Sequence, residues 1–248
     1  MKKNDTVANF PRTQFFINDP KLDIIALKIV WERDQKLWQN FVVKRYPVFD
    51  LIQEWNFKKI RTLLKQIYLD NQVELLQAQQ NFRTWWGAVE NSWCLFLEDF
   101  FELRIMKGVC FMAYIGISPI FPRDINSESF LVPLTAKSRD VLRICAHETS
   151  HFFFYRRAKE INFAVQPNEQ HLWLTSEVLV PLLFSNPRSI DILGKMSQGS
   201  YVCTQSLVER CRKIYQERLE GKISSEELIR CLLQTEIKAG ELNFKFFS

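Results

Sequence analysis

The sequence predicts an α+β fold that is predominantly helical and contains one small sheet. Apolar residues recur at three- and four-residue spacing through most of the 248-residue chain, which is the period of a helix. Only 7 glycines and 9 prolines are present to interrupt helices. Residues 109–132 differ, because they contain continuous apolar runs typical of strands. The hydrophobic content of 47% is enough to build a sizeable core.

Composition and charge exclude several classes of protein. The net charge of +5 comes from 33 basic and 28 acidic residues spread along the chain, without the basic stripe of a nucleic-acid-binding protein. The longest apolar runs, 109–117 and 178–184, are too short to cross a bilayer, and residues 1–10 lack the apolar segment of a secretory signal. The six cysteines form no CxxC pair, so we expect reduced thiols. We therefore expect a cytoplasmic protein that binds neither nucleic acid nor membrane.

Residues 1–104 are predicted to form an N-terminal helical region. The helical spacing runs from about residue 19 to residue 103, and breaks near Tyr46-Pro47, Asn56 and Asp70-Asn71 divide it into four or five helices. Three large aromatic residues of this region are expected to pack in the core, where such side chains supply buried area: Trp85, Trp86 and Trp93.

Residues 105–248 are predicted to form a second region, which could also be continuous with the first as a single domain. Strand-like runs at 109–115 and 130–132, separated by a loop at 118–124, predict a small antiparallel sheet. Near the end of the chain we expect two helices, at 200–219 and 225–238. The second opens with a capping box formed by Ser224 and Glu227.

All three histidines of the chain, His147, His151 and His171, fall within one window of 25 residues, and the first two form the pattern HExxH. On a helix, side chains four residues apart lie on the same face, so two imidazoles can bind one Zn²⁺ while Glu148 reaches a water molecule at the metal. The flanking residues are apolar and contain no glycine or proline. They predict a buried helix that begins near a capping Ser138. It would have Asp140 in its first turn and end at residues 156–157.

A catalytic zinc ion needs three protein ligands, and Glu177 is the predicted third ligand. It is the one acidic residue in the apolar stretch 172–184 of a helix capped by Asn168, and burying a lone carboxylate there is costly without a cation or a hydrogen-bond donor. The alternatives are His171, on the same helix, and Glu169, whose position at the helix start is already explained by capping. His171 and Glu177 point about 120° apart around an ideal helix, so we do not expect both to bind the same ion.

The segment of about residues 106–184 resembles the zincin metallopeptidases of the gluzincin type, which combine HExxH on one helix with a glutamate ligand on a later one. The resemblance implies that His147, His151 and Glu177 bind one Zn²⁺ and that Glu148 is the general base. Metzincins continue the motif with glycine and a third histidine, which residues 152–157 lack, so Met196 is not expected to form a Met-turn. Many gluzincins carry an aspartate where this chain has Pro181. Asp191 or a backbone carbonyl would then have to orient the histidines.

The resemblance implies a zinc-dependent peptidase that hydrolyses a peptide bond in an intracellular protein or peptide substrate. Glu148 would take a proton from water and deliver it to the leaving amine. Tyr201 and Arg188 are candidate donors to the oxyanion, and Tyr155 lies one turn beyond His151 on the ligand face. The alternative is a catalytically inactive regulatory or interaction protein of the same fold with a structural zinc ion, in which Glu148 would have no role.

Overall fold

The computed structural model describes residues 13–17, 20–104, 109–120, 122–163, 167–196 and 205–236. Within these ranges the chain is an α+β protein dominated by helices, as the sequence predicted. Several predictions fall outside the described residues: the start of the helix expected at 200–219 and the end, at Lys238, of the helix expected at 225–238. Tyr201, Cys203 and the first residues of the zincin-like segment also lie outside them.

The first helices follow the predicted breaks closely. The chain forms α1 (Pro20–Arg33), the short α2 (Gln35–Leu37), a π-helical turn at Trp38–Val43, a 3₁₀ turn at Pro47–Leu51, α3 (Phe57–Asp70) and the long α4 (Gln72–Phe101). Asn56 caps α3 through its side chain, which accepts a hydrogen bond from the N–H of Lys59 at 3.0 Å. Asn71 ends α3, and α4 begins at the next residue.

The sheet contains four strands in the order β1-β2-β4-β3: β1 (Thr13–Ile17), β2 (Phe111–Gly116), β3 (Arg123–Asp124) and β4 (Ser129–Pro133). The predicted antiparallel pairing of the two main strands is wrong, because β2 and β4 run parallel. The chain reverses once to form β3 and again to form β4, so that among the described strands only the β3–β4 pair is antiparallel. Strand β1, which the sequence analysis did not identify, adds to the other side of β2 in parallel.

Helix α4 lies between the sheet and the later helices and joins both through buried tryptophans. The indole N–H of Trp86 donates to the hydroxyl of Thr13 in β1 at 2.9 Å, and that of Trp93 donates to Thr149 at 3.1 Å. Both tryptophans are fully buried and Trp85 packs against the same core, which confirms the predicted packing role of the three residues.

The motif residues lie on α5 (Ser138–Glu160), and Glu177 lies on α6 (Glu169–Phe184). The expected cap at Ser138 is wrong, because Ser138 is the first helical residue and the preceding Lys137 is the cap. The Asp140 carboxylate accepts a hydrogen bond from the backbone N–H of Lys137 at 3.3 Å, so the first-turn acid satisfies this helix end. Asn168 caps α6 as predicted, accepting from the N–H of His171 at 2.7 Å.

Three further helices complete the described chain: α7 (Pro187–Leu193), α8 (Gln205–Leu219) and α9 (Ser225–Gln234). The capping box of Ser224 and Glu227 at the start of α9 is confirmed. One large core cluster extends from Phe15 in β1 to Leu232 in α9, and a second lies among the helices and turns of residues 24–67.

The described cysteines are free thiols, with Cys94, Cys145 and Cys211 buried. Within the described ranges, no helix has both the length and the apolar composition needed to cross a membrane.

Candidate metal centre

His147, His151 and Glu177 meet between α5 and α6, with one potential ligand atom of each within 4.8 Å of the other two. The Nε2 atoms of the two histidines are 2.9 Å apart. Glu177 directs one carboxylate oxygen at each of them, with Oε2 at 3.5 Å from Nε2 of His147 and Oε1 at 3.5 Å from Nε2 of His151. The helical spacing of the sequence motif thus places both imidazoles beside the single carboxylate of α6.

The opposite face of α5 is held by its packing against α4 and the sheet. Thr149 lies about 200° around the helix from both histidines, and there its hydroxyl accepts the hydrogen bond from Trp93. Phe152 stacks on Phe111 of β2, with ring centroids 5.3 Å apart, and Phe153 packs against Phe101 of α4. These contacts fix the rotation of α5 so that its histidine face is directed towards α6.

The burial of the group is uneven. The side chain of His151 is fully buried and that of Glu177 is 3% exposed, whereas His147 keeps 16% of its surface exposed. Burial, assisted by the nearby positive charge of Arg123, moves the pKa of His151 well below its ordinary value, which keeps this imidazole neutral. A neutral imidazole is the form that binds a metal ion.

Glu177 remains ionised despite its burial. Burial alone would raise the pKa of its carboxyl, but the contacts with the imidazoles of His151 and His147 and the positive charge of Arg123 hold that pKa well below the ordinary value. The group therefore presents a carboxylate and two imidazoles, a donor set that suits zinc and other divalent transition metals.

The separations within the group also suit a small metal ion. Two ligands bound tetrahedrally to Zn²⁺ at about 2.1 Å are about 3.4 Å from each other. The separations of 2.9, 3.5 and 3.5 Å found here are close to that value. The three residues could hold a metal ion with little rearrangement of their side chains.

Glu148 lies beside the group without belonging to it. Its side chain is 1% exposed, and Oε1 is 3.9 Å from Nε2 of His147. Burial raises the pKa of the Glu148 carboxyl, although Arg123 and His147 act in the opposite direction. A carboxylate so placed can exchange a proton with a small molecule held near His147.

Arg123, in β3, contacts both acids and was not identified as a site residue from the sequence. Its Nη2 is 2.7 Å from Oε1 of Glu177, and its Nη1 is 3.4 Å from Oε2 of Glu148. Burial would lower the pKa of the guanidinium, but the charges of the two carboxylates raise it. The guanidinium of Arg123 thus compensates the buried charge of Glu177 from within the protein.

The two alternative third ligands lie elsewhere. His171 points towards α8 and α9, where it lines a small cavity with Thr175 and Cys211. Its Nε2 is buried and has no hydrogen-bond partner within the described part of the chain. Glu169 occupies the first turn of α6, in keeping with its role at the helix start.

Of the other candidates from the sequence, the structure describes Arg188 and Asp191. The guanidinium of Arg188 pairs with Asp99 at 3.2 Å and lies over the ring of Phe96 on α4, which indicates a structural role. Asp191 is exposed on α7. The Nδ1 atom of His151 is buried and has no hydrogen-bond partner among residues that the structure describes, so neither Asp191 nor a described carbonyl orients it.

A cavity of about 450 Å³ lies further along α5 and α6, and its lining does not include His147, His151 or Glu177. Tyr155, one turn beyond His151 on α5, forms part of its wall, and burial raises the pKa of this phenol. Trp173, one turn before Glu177 on α6, forms another part. The lining is largely apolar or aromatic, with Lys159 and Glu169 also present.

Comparisons of the chain with protein-family models, curated proteins and solved structures find no match. The geometry of the centre is therefore the basis for a functional proposal.

Proposed function

We propose that this protein is a zinc-dependent metallopeptidase whose metal is held by His147, His151 and Glu177. The observation that carries the proposal is the convergence of these three side chains within 4.8 Å, with Glu148 directly beside them. Three protein ligands are the number found at catalytic zinc sites, whereas structural sites are closed by four.

The exposure of the ligands favours a site that is open on one side. His151 and Glu177 are enclosed, while His147 is partly exposed, so solvent or substrate would approach from the side of His147. When bound, a zinc ion makes water acidic enough to lose a proton near neutral pH and polarises a carbonyl group.

Glu148 is the proposed general base. Its Oε1 lies 3.9 Å from Nε2 of His147, where it can accept a proton from the attacking water. The same oxygen then delivers that proton to the nitrogen of the leaving amine. The raised pKa of the buried Glu148 carboxyl suits this exchange, because a general base works best when its pKa approaches the working pH.

The cavity lined by Tyr155 and Trp173 supports a protein or peptide as the substrate. It is reached one helical turn from the centre along both α5 and α6, and its apolar lining, including Trp173 and Phe163, can accommodate an apolar side chain.

Metal analysis of purified variants tests the proposal. The wild type is expected to retain close to one equivalent of zinc, as is Glu148→Gln, because Glu148 is not a ligand. His151→Ala and Glu177→Ala are expected to lose it. His171→Ala and Glu169→Gln are the matched controls, because each removes the same type of group from outside the centre, and both should retain the metal.

Activity on a mixture of peptides, read by mass spectrometry, then separates an enzyme from an inactive zinc protein. The wild type should produce cleavage products, and Glu148→Gln should produce none while still holding zinc. A wild type that binds no zinc refutes the metal site. Zinc binding without cleavage of any peptide favours the alternative of a regulatory protein with a structural metal.

A further inference from the structure

We infer that Arg123 is a resident counter-ion of the metal centre, which pairs with Glu177 and Glu148 in the metal-free protein and thereby weakens metal binding. The inference rests on the proposed metal site. Its structural basis is the guanidinium itself, which is 13% exposed and reaches both carboxylates from β3.

The charges around the centre explain why such a counter-ion is needed. Two acidic side chains of the centre, Glu148 and Glu177, are buried and lie beside the same guanidinium. Arg123 supplies one positive charge, at 2.7 Å from Glu177 and 3.4 Å from Glu148. Leaving two buried carboxylates uncompensated would strongly destabilise the fold, so the guanidinium allows the metal-free protein to remain folded.

The same contacts set the sign of the effect on metal binding. A divalent cation held by His147, His151 and Glu177 brings positive charge beside the guanidinium and competes with it for the Glu177 carboxylate. Removing Arg123 therefore destabilises the metal-free protein more than the metal-loaded protein. By thermodynamic reciprocity, the variant must bind the metal more tightly.

Arg123→Met is the main variant, because methionine keeps an unbranched side chain without the charge. Zinc affinity is measured by competition with a chromophoric chelator, and thermal unfolding is followed with and without zinc. The variant should bind zinc about tenfold or more tightly than the wild type, and its metal-free form should unfold at a lower temperature. Arg123→Lys keeps the charge but not the two-armed reach, so its zinc affinity should lie between the two. It also keeps the test readable if the methionine variant does not fold.

Arg156→Met is the matched control, because Arg156 also lies beside the sheet and pairs with a single acid, Glu128, through two nitrogens. It should leave the zinc affinity unchanged. If Arg123→Met binds zinc as the wild type does, or more weakly, the inference is overturned. Weaker binding would mean that Arg123 supports Glu177 as a ligand instead of competing for it.

A metal-free double-mutant cycle separates this inference from the proposed function. The destabilisation caused by Arg123→Met should be clearly smaller in a Glu177→Gln background, because one of the two buried carboxylates that Arg123 contacts is then absent. A wild type that binds no zinc would remove the proposed function, yet this cycle would still report whether Arg123 neutralises Glu177. Additive effects of the two substitutions would show that it does not.

Discussion

Replacing Asp23 by asparagine tests how the first helix is fixed to the sheet. Asp23 is fully buried on α1, and its carboxylate accepts hydrogen bonds from three donors in the described part of the chain, two of them at the end of β2. Its Oδ1 accepts from the N–H of Ser118 at 2.9 Å, and Oδ2 accepts from the N–H of Ile117 at 3.1 Å and from the Tyr68 hydroxyl. All three partners are donors, so the site requires an acceptor at both oxygens.

The magnitude follows from the geometry of the amide. Asparagine has only one acceptor oxygen, and the less costly orientation places its NH₂ group at the Oδ1 position, facing the N–H of Ser118. In that orientation the hydrogen bond from Ser118 is lost, and two donors, the NH₂ group and the N–H of Ser118, face each other in the protein interior. We expect a loss of about 2–4 kcal/mol in the free energy of unfolding. For a chain of this size, that corresponds to a fall of about 4–16 °C in the unfolding temperature.

Thermal unfolding followed by circular dichroism measures the effect, and Asp34→Asn is the control. Asp34 caps α2 by accepting one N–H, from Leu37 at 2.8 Å, and asparagine is an equally good cap. The control should therefore unfold close to the wild type. If Asp23→Asn unfolds within about 2 °C of the control, the account of the Asp23 network is refuted.

Three further outcomes are expected. Gly116→Ala would place a Cβ 2.6 Å from the Asp23 carboxylate and should lower the free energy of unfolding in urea by about 1–3 kcal/mol. Gly87→Ala is the control, since its Cβ meets no atom within 4 Å, and it should be neutral or stabilising. Equal effects of the two substitutions would show that Asp23 does not crowd position 116. Thr149→Val should leave the indole N–H of Trp93 without its acceptor and cost about 1–3 kcal/mol, with unchanged zinc content; lost zinc would mean that Thr149 serves the centre directly. Burial raises the pKa of the Cys145 thiol well above its ordinary value, so a thiol reagent should modify it only after unfolding, and rapid labelling of the native protein would disprove its protection.

Local chemistry explains which parts of the fold could be predicted. The caps at Asn56, Asn168 and Ser224 satisfy backbone groups only three residues away, so the sequence contains the whole interaction. The same holds for the turn of helix that brings His147 and His151 together, because its geometry needs no distant partner.

The sheet could not be predicted in the same way. Strand β1 is five residues long and pairs with β2, almost a hundred residues later in the chain. Nothing in the sequence of β1 itself indicates which strand it pairs with. The parallel direction of β2 and β4 depends on β3, which is only two residues long. Arg123 was missed for a related reason, because its partners lie 25 and 54 residues further along the chain.

The centre draws on both predicted regions of the chain. The carboxylate of Asp23 holds residues 117–118, where the chain leaves β2 and turns towards Arg123. From the other side, Trp93 on α4 fixes the face of α5 opposite the histidines. Two cations could therefore compensate the buried Glu177: the guanidinium of Arg123 and the proposed metal ion. Asp23 and Trp93, both from the first hundred residues, help to position the elements that hold them. Both anchors stabilise the elements that carry the centre, and neither of them contributes a ligand.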